Sequence, residues 1–275
     1  MCHSPGVVFW DFMLAVPAPA RLLISMALTI GISIALVRLL NQQLLTMSRE
    51  DPGASDGRPS APNSADLIGR FTPFIGVAFV FLAGVSVSQF WVNDRLATEA
   101  LAGEAANYLR ATTYAAQIGA GQGGDQIRAA LDAYRASVED DQWPLMQHSQ
   151  ARRAYELQVQ ASGAVQASMQ EAGALGALKS PVWDDLTTAV DDMLIAGTDR
   201  IDSVPQTNAL WLLVLVMALG IANLAVLALT CAYYRRLSTI LIGVAAGATG
   251  LLMFVTVELC NPYIVGFYSL VIHAS

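Results

Sequence analysis

Four apolar stretches, each long enough to cross a bilayer, flank a polar and acidic stretch. They are residues 22–40 and 71–92 on one side, and 209–233 and 237–257 on the other. A helix rises about 1.5 Å per residue, so each stretch can span an apolar core of roughly 30 Å. The chain is therefore expected to be all-α, with four transmembrane helices and a helical extramembrane bundle between spans two and three. Residues 1–21 read as an N-terminal interfacial segment and 41–70 as a flexible connector. Residues 93–206 form the acidic helical module, 207–257 hold spans three and four, and 258–275 form a C-terminal interfacial tail.

Charge supports that division. Only 13% of the residues are charged and the mean hydropathy is +0.48, whereas a soluble domain carries about 25% charge. The chain has a formal net charge of −7. Residues 93–206 contain 16 acids and 8 bases, so this module alone accounts for −8. Such a module repels nucleic acid and anionic headgroups. The expected partners are the lipid bilayer and either copies of the same chain or other membrane subunits, with no nucleic acid.

Cys2, Cys231 and Cys260 all lie outside the acidic module, so the module has no disulfide framework. His3, His148 and His273 are too scattered for metal-ligand spacing, and no cofactor is expected. The first apolar run is broken by Asp11 and followed by Pro17 and Pro19, unlike a secretory leader. Phe9, Trp10 and Phe12 suit an interfacial anchor instead.

Local patterns fill in the helices. Arg38 lies near the end of span one, from where its stem can snorkel to the interface. The connector is rich in Pro, Gly, Ser and Asp around 48–64 and reads as a tether. Span two carries six aromatic residues. Phe90 and Trp91 suit an interfacial belt, while Phe74, Phe79 and Phe81 are candidates for an apolar constriction. Gly76 and Gly84 in span two, and Gly243 and Gly247 in span four, are candidate helix-packing positions. Span three is charge-free, with Asn223 as its one strongly polar group.

Within the acidic module, Ile127, Leu131, Tyr134 and Val138 recur at helical spacing. So do Val182, Leu186, Val190, Met193 and Leu194. The second of these helices is expected to start with Ser180 as cap and Pro181 at its first position, with Asp184 and Asp185 favouring the positive end. The glycines of 119–124 should break the long helix leaving span two, and Trp143–Pro144 should make another break.

Orientation follows from short basic loops. Arg235 and Arg236 join spans three and four, and Arg38, Arg49, Arg58 and Arg70 lie in or near the first connector. Basic loops stay cytoplasmic, which places the acidic module and both termini outside.

With these features in order, the chain resembles a bacterial membrane family known as bestrophin-like. The resemblance rests on Glu104-Ala105 followed by Tyr108-Leu109-Arg110, then on Tyr134, Val138 and Trp143-Pro144. It continues with Arg200-Ile201 and Trp211, and ends with Leu259-Cys260-Asn261-Pro262-Tyr263 and Gly266. Gln142 stands where the family pattern has an acid, and Cys260 replaces an aspartate of the terminal motif. Bestrophins proper are oligomeric anion channels with a cytosolic helical region, so the resemblance implies ion conduction and, against the charge argument, the opposite orientation.

Two functions follow: an oligomeric ion (anion) channel in a bacterial inner membrane, or a non-catalytic accessory or scaffold subunit. A sensor with an external bundle is a third. An enzyme is not expected. The acid pairs Asp140–Asp141, Asp184–Asp185 and Asp191–Asp192 are adjacent, so their side chains diverge on a helix and do not converge on a substrate. Beyond span four, Glu258 would pair across the membrane-proximal end of the module with Arg200 or Arg95, or would face water.

Overall fold

The computed structural model describes residues 5–47, 64–205, 207–232 and 238–264. Its regular elements are helical: α1 (Pro5–Ala15), α2 (Ala18–Met47), α3 (Ser64–Ile118), α4 (Gly124–Ala136), α5 (Trp143–Gln147), α6 (Ala151–Leu175), α7 (Trp183–Asp202), α8 (Thr207–Ala232) and α9 (Ser238–Cys260). Four of them, α2, α3, α8 and α9, are long and apolar enough to cross a membrane. The all-helical fold and the four candidate spans thus match the sequence expectation. The linker composition around 48–63 and the basic pair Arg235–Arg236 lie outside the described residues, as does Gly266.

The described chain divides into two compact units. One contains Met1–Leu14, Phe90–Thr207 and Asn261–Ser275, and the other Ala15–Gln89 and Asn208–Cys260.

The core of the first unit is built from the stripes legible in the sequence. Ile127, Leu131, Tyr134 and Val138 are buried, as are Leu186, Val190, Met193 and Leu194, and they meet Ala111, Ala115 and Ile118 of α3. The third wall is α6, which presents Val165, Met169 and Ala172. The turn between α3 and α4 needs glycine. Gly123 has φ +88°, and a Cβ there would lie 2.6 Å from Cβ of Ala172, so only glycine satisfies both the backbone and the neighbour.

Two local expectations are corrected in this unit. The helix expected to begin at Ser180–Pro181 begins at Trp183, because the Ser180 carbonyl first accepts the Trp183 amide in a turn (3.2 Å). Asp184 and Asp185 do fall in its first turn. The chain also does not break at Trp143–Pro144. A π-helical turn over Ser137–Gln142 leads directly into α5, and the helix ends only at Gln147. Proline lacks an N–H and crowds the preceding turn, which a widened π turn accommodates.

In the second unit α2 packs along α9. Ser25 Oγ donates to the Gly250 carbonyl (3.0 Å). A Cβ on Gly250 would collide with Thr29 Oγ1 and lie 3.3 Å from Cα of Met26. Phe79 and Ala83 of α3 are buried with Val216 of α8. Helix α2 starts four residues before the expected span and continues to Met47, and α3 starts at Ser64, which shortens the connector at both ends.

The aromatic assignments also change. Trp10 and Phe90 are buried, each 2% exposed, so neither is presented to a headgroup layer as an anchor. Both are broad apolar side chains that remove more surface from water inside the unit than at its edge.

Candidate functional site: a buried arginine network

Arg200 lies in the last turn of α7, where a cation favours the helix dipole, yet its side chain is 0% exposed. A buried guanidinium costs several kcal/mol unless its donors are met. Here they are met from three other elements. Nε donates to Glu104 Oε2 at 2.6 Å and Nη2 to Glu104 Oε1 at 3.2 Å, a bidentate pair with α3. Nη2 also donates to Gln142 Oε1 at 2.9 Å, and Nη1 points at Met146 Sδ at 3.1 Å. Gln142, at the position where the family pattern has an acid, meets the guanidinium with a neutral amide oxygen. One acid and one base therefore balance in the network.

The network continues away from the ion pair. Tyr134 Oη donates to Glu104 Oε1 at 2.6 Å and accepts from Gln158 Nε2 at 2.9 Å. Burial above all, and then the Glu104 charge, raise the Tyr134 hydroxyl above its ordinary value of 10.0, with Arg200 offsetting part of that. Burial would lower the Arg200 guanidinium, but the charge and hydrogen bonds of Glu104 outweigh it and hold it above its ordinary value. Tyr134 therefore stays neutral and Arg200 cationic across the physiological range.

Gly197, one turn before Arg200, makes room for this arrangement. A Cβ there would strike Gln158 Nε2 and Tyr134 Oη and lie 3.1 Å from Glu104 Oε1.

On its other side Arg200 is tied to the residues that follow the last candidate span. The hydroxyls of Ser203 and Tyr263 each lie 2.6 Å from the Arg200 carbonyl oxygen and 2.5 Å from each other. Tyr263 is fully buried, and its ring meets Trp143 edge to face, with centroids 5.3 Å apart at 89°. Asn261 Nδ2 donates to the carbonyls of Met146 (3.2 Å) and Gln147 (2.9 Å), which lie in the last turn of α5. Asn261 Oδ1 accepts the Tyr263 amide at 3.1 Å. The terminal motif is thus a clasp that satisfies two helix ends at once.

The residues expected to pair at the membrane-proximal end do not pair with one another. Glu258 faces Arg21 (3.0 Å), both mostly buried, because α2 and α9 pack side by side. Arg200 is committed to Glu104, and Arg95 forms an exposed pair with Glu99 one turn away (2.7 Å).

The candidate constriction residues do not share a surface within the chain: Phe79 is 2% exposed, but Phe74 and Phe81 are 73% and 70% exposed. Of the packing glycines, Gly247 has Met26 Cε at 3.7 Å and Gly76 has Asn223 Oδ1 at 3.4 Å from an added Cβ. Gly243 and Gly84 have nothing within 4 Å. The closest approach falls instead at Gly250 and at Gly220, where a Cβ would meet Met253 and lie 3.1 Å from Phe79.

Glu104 and Tyr263 appear in the sequence only as parts of short patterns, Tyr134 also as a member of an apolar stripe, and Arg200 also as a candidate partner of Glu258. Gln158 and Gly197 carry no sequence signal at all. The one available hint is an arginine on the apolar face of α7, six residues after Leu194 and three after Gly197.

An all-helical multi-pass membrane protein with a buried ion-pair network in its polar unit is the class that these features define. A family model described as Bestrophin-like domain matches residues 47–271, most of the chain, and the protein belongs to that family. No curated protein and no solved structure matches it.

Proposed function

We propose that this protein is a bestrophin-like ion channel of the bacterial inner membrane, assembled from several copies, with anions as the permeant class. Membership of the bestrophin-like family over residues 47–271 carries this reading. The spans are consistent with it. Only 17% to 33% of each candidate span's most apolar window is buried within one chain, so most of that surface needs lipid or a neighbouring copy. Phe74 and Phe81 are exposed aromatic residues of α3, and against such a neighbour they would form an apolar constriction that gates by dewetting. Residues 93–206 would then form the extramembrane bundle. The basic connectors put that bundle outside the cytoplasm.

The test is purification of the full chain in mild detergent, measurement of mass and subunit composition, and chloride flux in reconstituted liposomes. A homo-oligomer with flux is expected. The alternative, a non-catalytic accessory subunit, is favoured by the burial of the Arg200 network, whose one acid and one base neutralise each other inside the unit. A fixed stoichiometric partner without flux would establish that role instead. Orientation is tested separately with Gln170→Cys, an exposed position on α6, in a chain lacking native cysteines. Labelling of intact cells by an impermeant thiol reagent is expected, and labelling only after lysis would invert the topology.

A further inference from the structure

The short helix α1 belongs to the polar unit, and an imidazole placed between two acceptors ties it there. His148 directly follows α5. Its Nδ1 lies 2.6 Å from the Pro144 carbonyl oxygen, and its Nε2 lies 2.8 Å from Asp11 Oδ1 of α1. Asp11 stands next to Trp10 and two residues before Met13, which are 2% and 4% exposed. The carboxylate therefore meets the ring where the buried side chains of α1 are seated.

The turn that carries the ring is braced, so α1 is the partner free to respond. The Ser149 amide donates to the Met146 carbonyl (3.0 Å) and the Gln150 amide to the Leu145 carbonyl (2.8 Å). Asn261 Nδ2 holds the same turn through the Gln147 carbonyl (2.9 Å) and Ser149 Oγ (3.3 Å).

Both atoms facing the ring are acceptors. A neutral imidazole carries one N–H and an imidazolium two, so only the cation satisfies both. On deprotonation the remaining N–H stays with Pro144, the shorter contact and one made within the ring's own turn. The Nε2 lone pair then faces the Asp11 carboxylate, and a charge-assisted hydrogen bond becomes a repulsion between acceptors. The other charges around the turn are engaged elsewhere. Helix α5 has no charged side chain, and Asp11 is the only one in α1. At the start of α6, Arg152 pairs with Glu156 (3.3 Å) and Arg153 donates to Gln150 Oε1 (3.2 Å). Residues 261–264 bring no charge, and the Tyr263 hydroxyl donates to the Arg200 carbonyl.

We propose that α1 is a pH-sensitive latch, docked on the polar unit while His148 is an imidazolium bridging Pro144 and Asp11, and loosened as the ring becomes neutral. Histidine changes charge between about pH 5 and pH 8, which sets the working range. Docked α1 and the bound proton stabilise each other, so acid tightens the helix and alkali loosens it. The response is graded rather than all-or-none. Trp10 and Met13 stay apolar at every pH, and Asp11 is 58% exposed, where solvent screens the pair. The latch is independent of the channel reading.

The readout is hydrogen–deuterium exchange of Pro5–Ala15 in the full-length protein in a non-ionic detergent, with α6 as internal reference. It is followed from about pH 5.5 to about pH 8 and corrected for the intrinsic exchange rate at each pH. Protection of α1 is expected to fall by roughly three- to tenfold across that range, as for loss of one partly screened charge-assisted contact, while α6 keeps its protection. His148→Gln has no titrating ring and is expected to give a flat profile. Asp11→Asn changes an exposed side chain and is expected to flatten the profile too, because an amide can turn either its oxygen or its nitrogen to the ring. A flat profile in the parent protein overturns the latch. So does a slope that survives in either variant, or one shared by α6, which would report loosening of the whole unit.

Discussion

Replacing Arg200 by methionine removes the one cation from the buried network around Glu104. Glu104, 5% exposed, would keep its hydrogen bond from Tyr134 but lose both bonds from the guanidinium. Gln142 Oε1 would lose the Arg200 donor as well. Breaking a buried pair from one side costs about 3–5 kcal/mol, because the surviving charge has neither partner nor water. The bidentate geometry and the second stranded acceptor put this site towards the upper end. At about 2–4 °C per kcal/mol for a unit of this size, Tm should fall by roughly 10 °C or more. Glu104→Gln should be nearly as damaging, since an amide nitrogen would face the guanidinium donors. Glu104→Gln combined with Arg200→Met removes both charges, and its cost should be clearly less than the sum of the two singles. Thermal unfolding of all variants in one detergent, with chemical denaturation of the same set, measures the cycle. A loss below about 1 kcal/mol for Arg200→Met, or additive single effects, would refute the idea that this pair holds the unit together.

Three further outcomes follow from the same geometry. Gly197→Ala drives a methyl group into Gln158 and Tyr134, and should cost about 1–3 kcal/mol in the same melting assay, as overpacking does. Gly250→Ala meets the backbone of α2 at Met26, whereas Gly243→Ala meets nothing, so only the first should lower Tm in detergent; equal behaviour would show that α2 and α9 do not pack through Gly250. Tyr134 is held protonated in the fold, so its contribution is complete below its unfolded value near 10 and declines as pH rises above that, when the unfolded chain releases its proton first. Alkaline denaturation should therefore be shallower in Tyr134→Phe, by up to about 1.4 kcal/mol per pH unit, and parallel curves would contradict the burial of this hydroxyl.

The sequence by itself determined the elements that depend on local pattern. A run of apolar residues long enough for a bilayer is visible without any partner, and so are the stripes Ile127–Leu131–Tyr134–Val138 and Leu186–Val190–Met193. The glycine break after Ile118 is legible because φ preferences act within a residue. Helix α6 left little trace, because its buried positions include Ala154, Gln158 and Ala172, which are small or polar and give no apolar stripe. The Trp143–Pro144 break was misplaced because a π turn absorbs a proline that an α-helix would not.

Only the tertiary structure decided which charges meet. Arg200 could be matched with any acid near the membrane end of its helix, and sequence distance gives no weight to Glu104 over Glu258. Burial makes the choice: once α3, α4 and α7 share a core, Arg200 has Glu104 within bidentate reach. Likewise Glu258 meets Arg21 because Gly250 lets α9 lie against α2. Charge pairing across helices depends on which faces come together, and that is a property of packing rather than of any one segment.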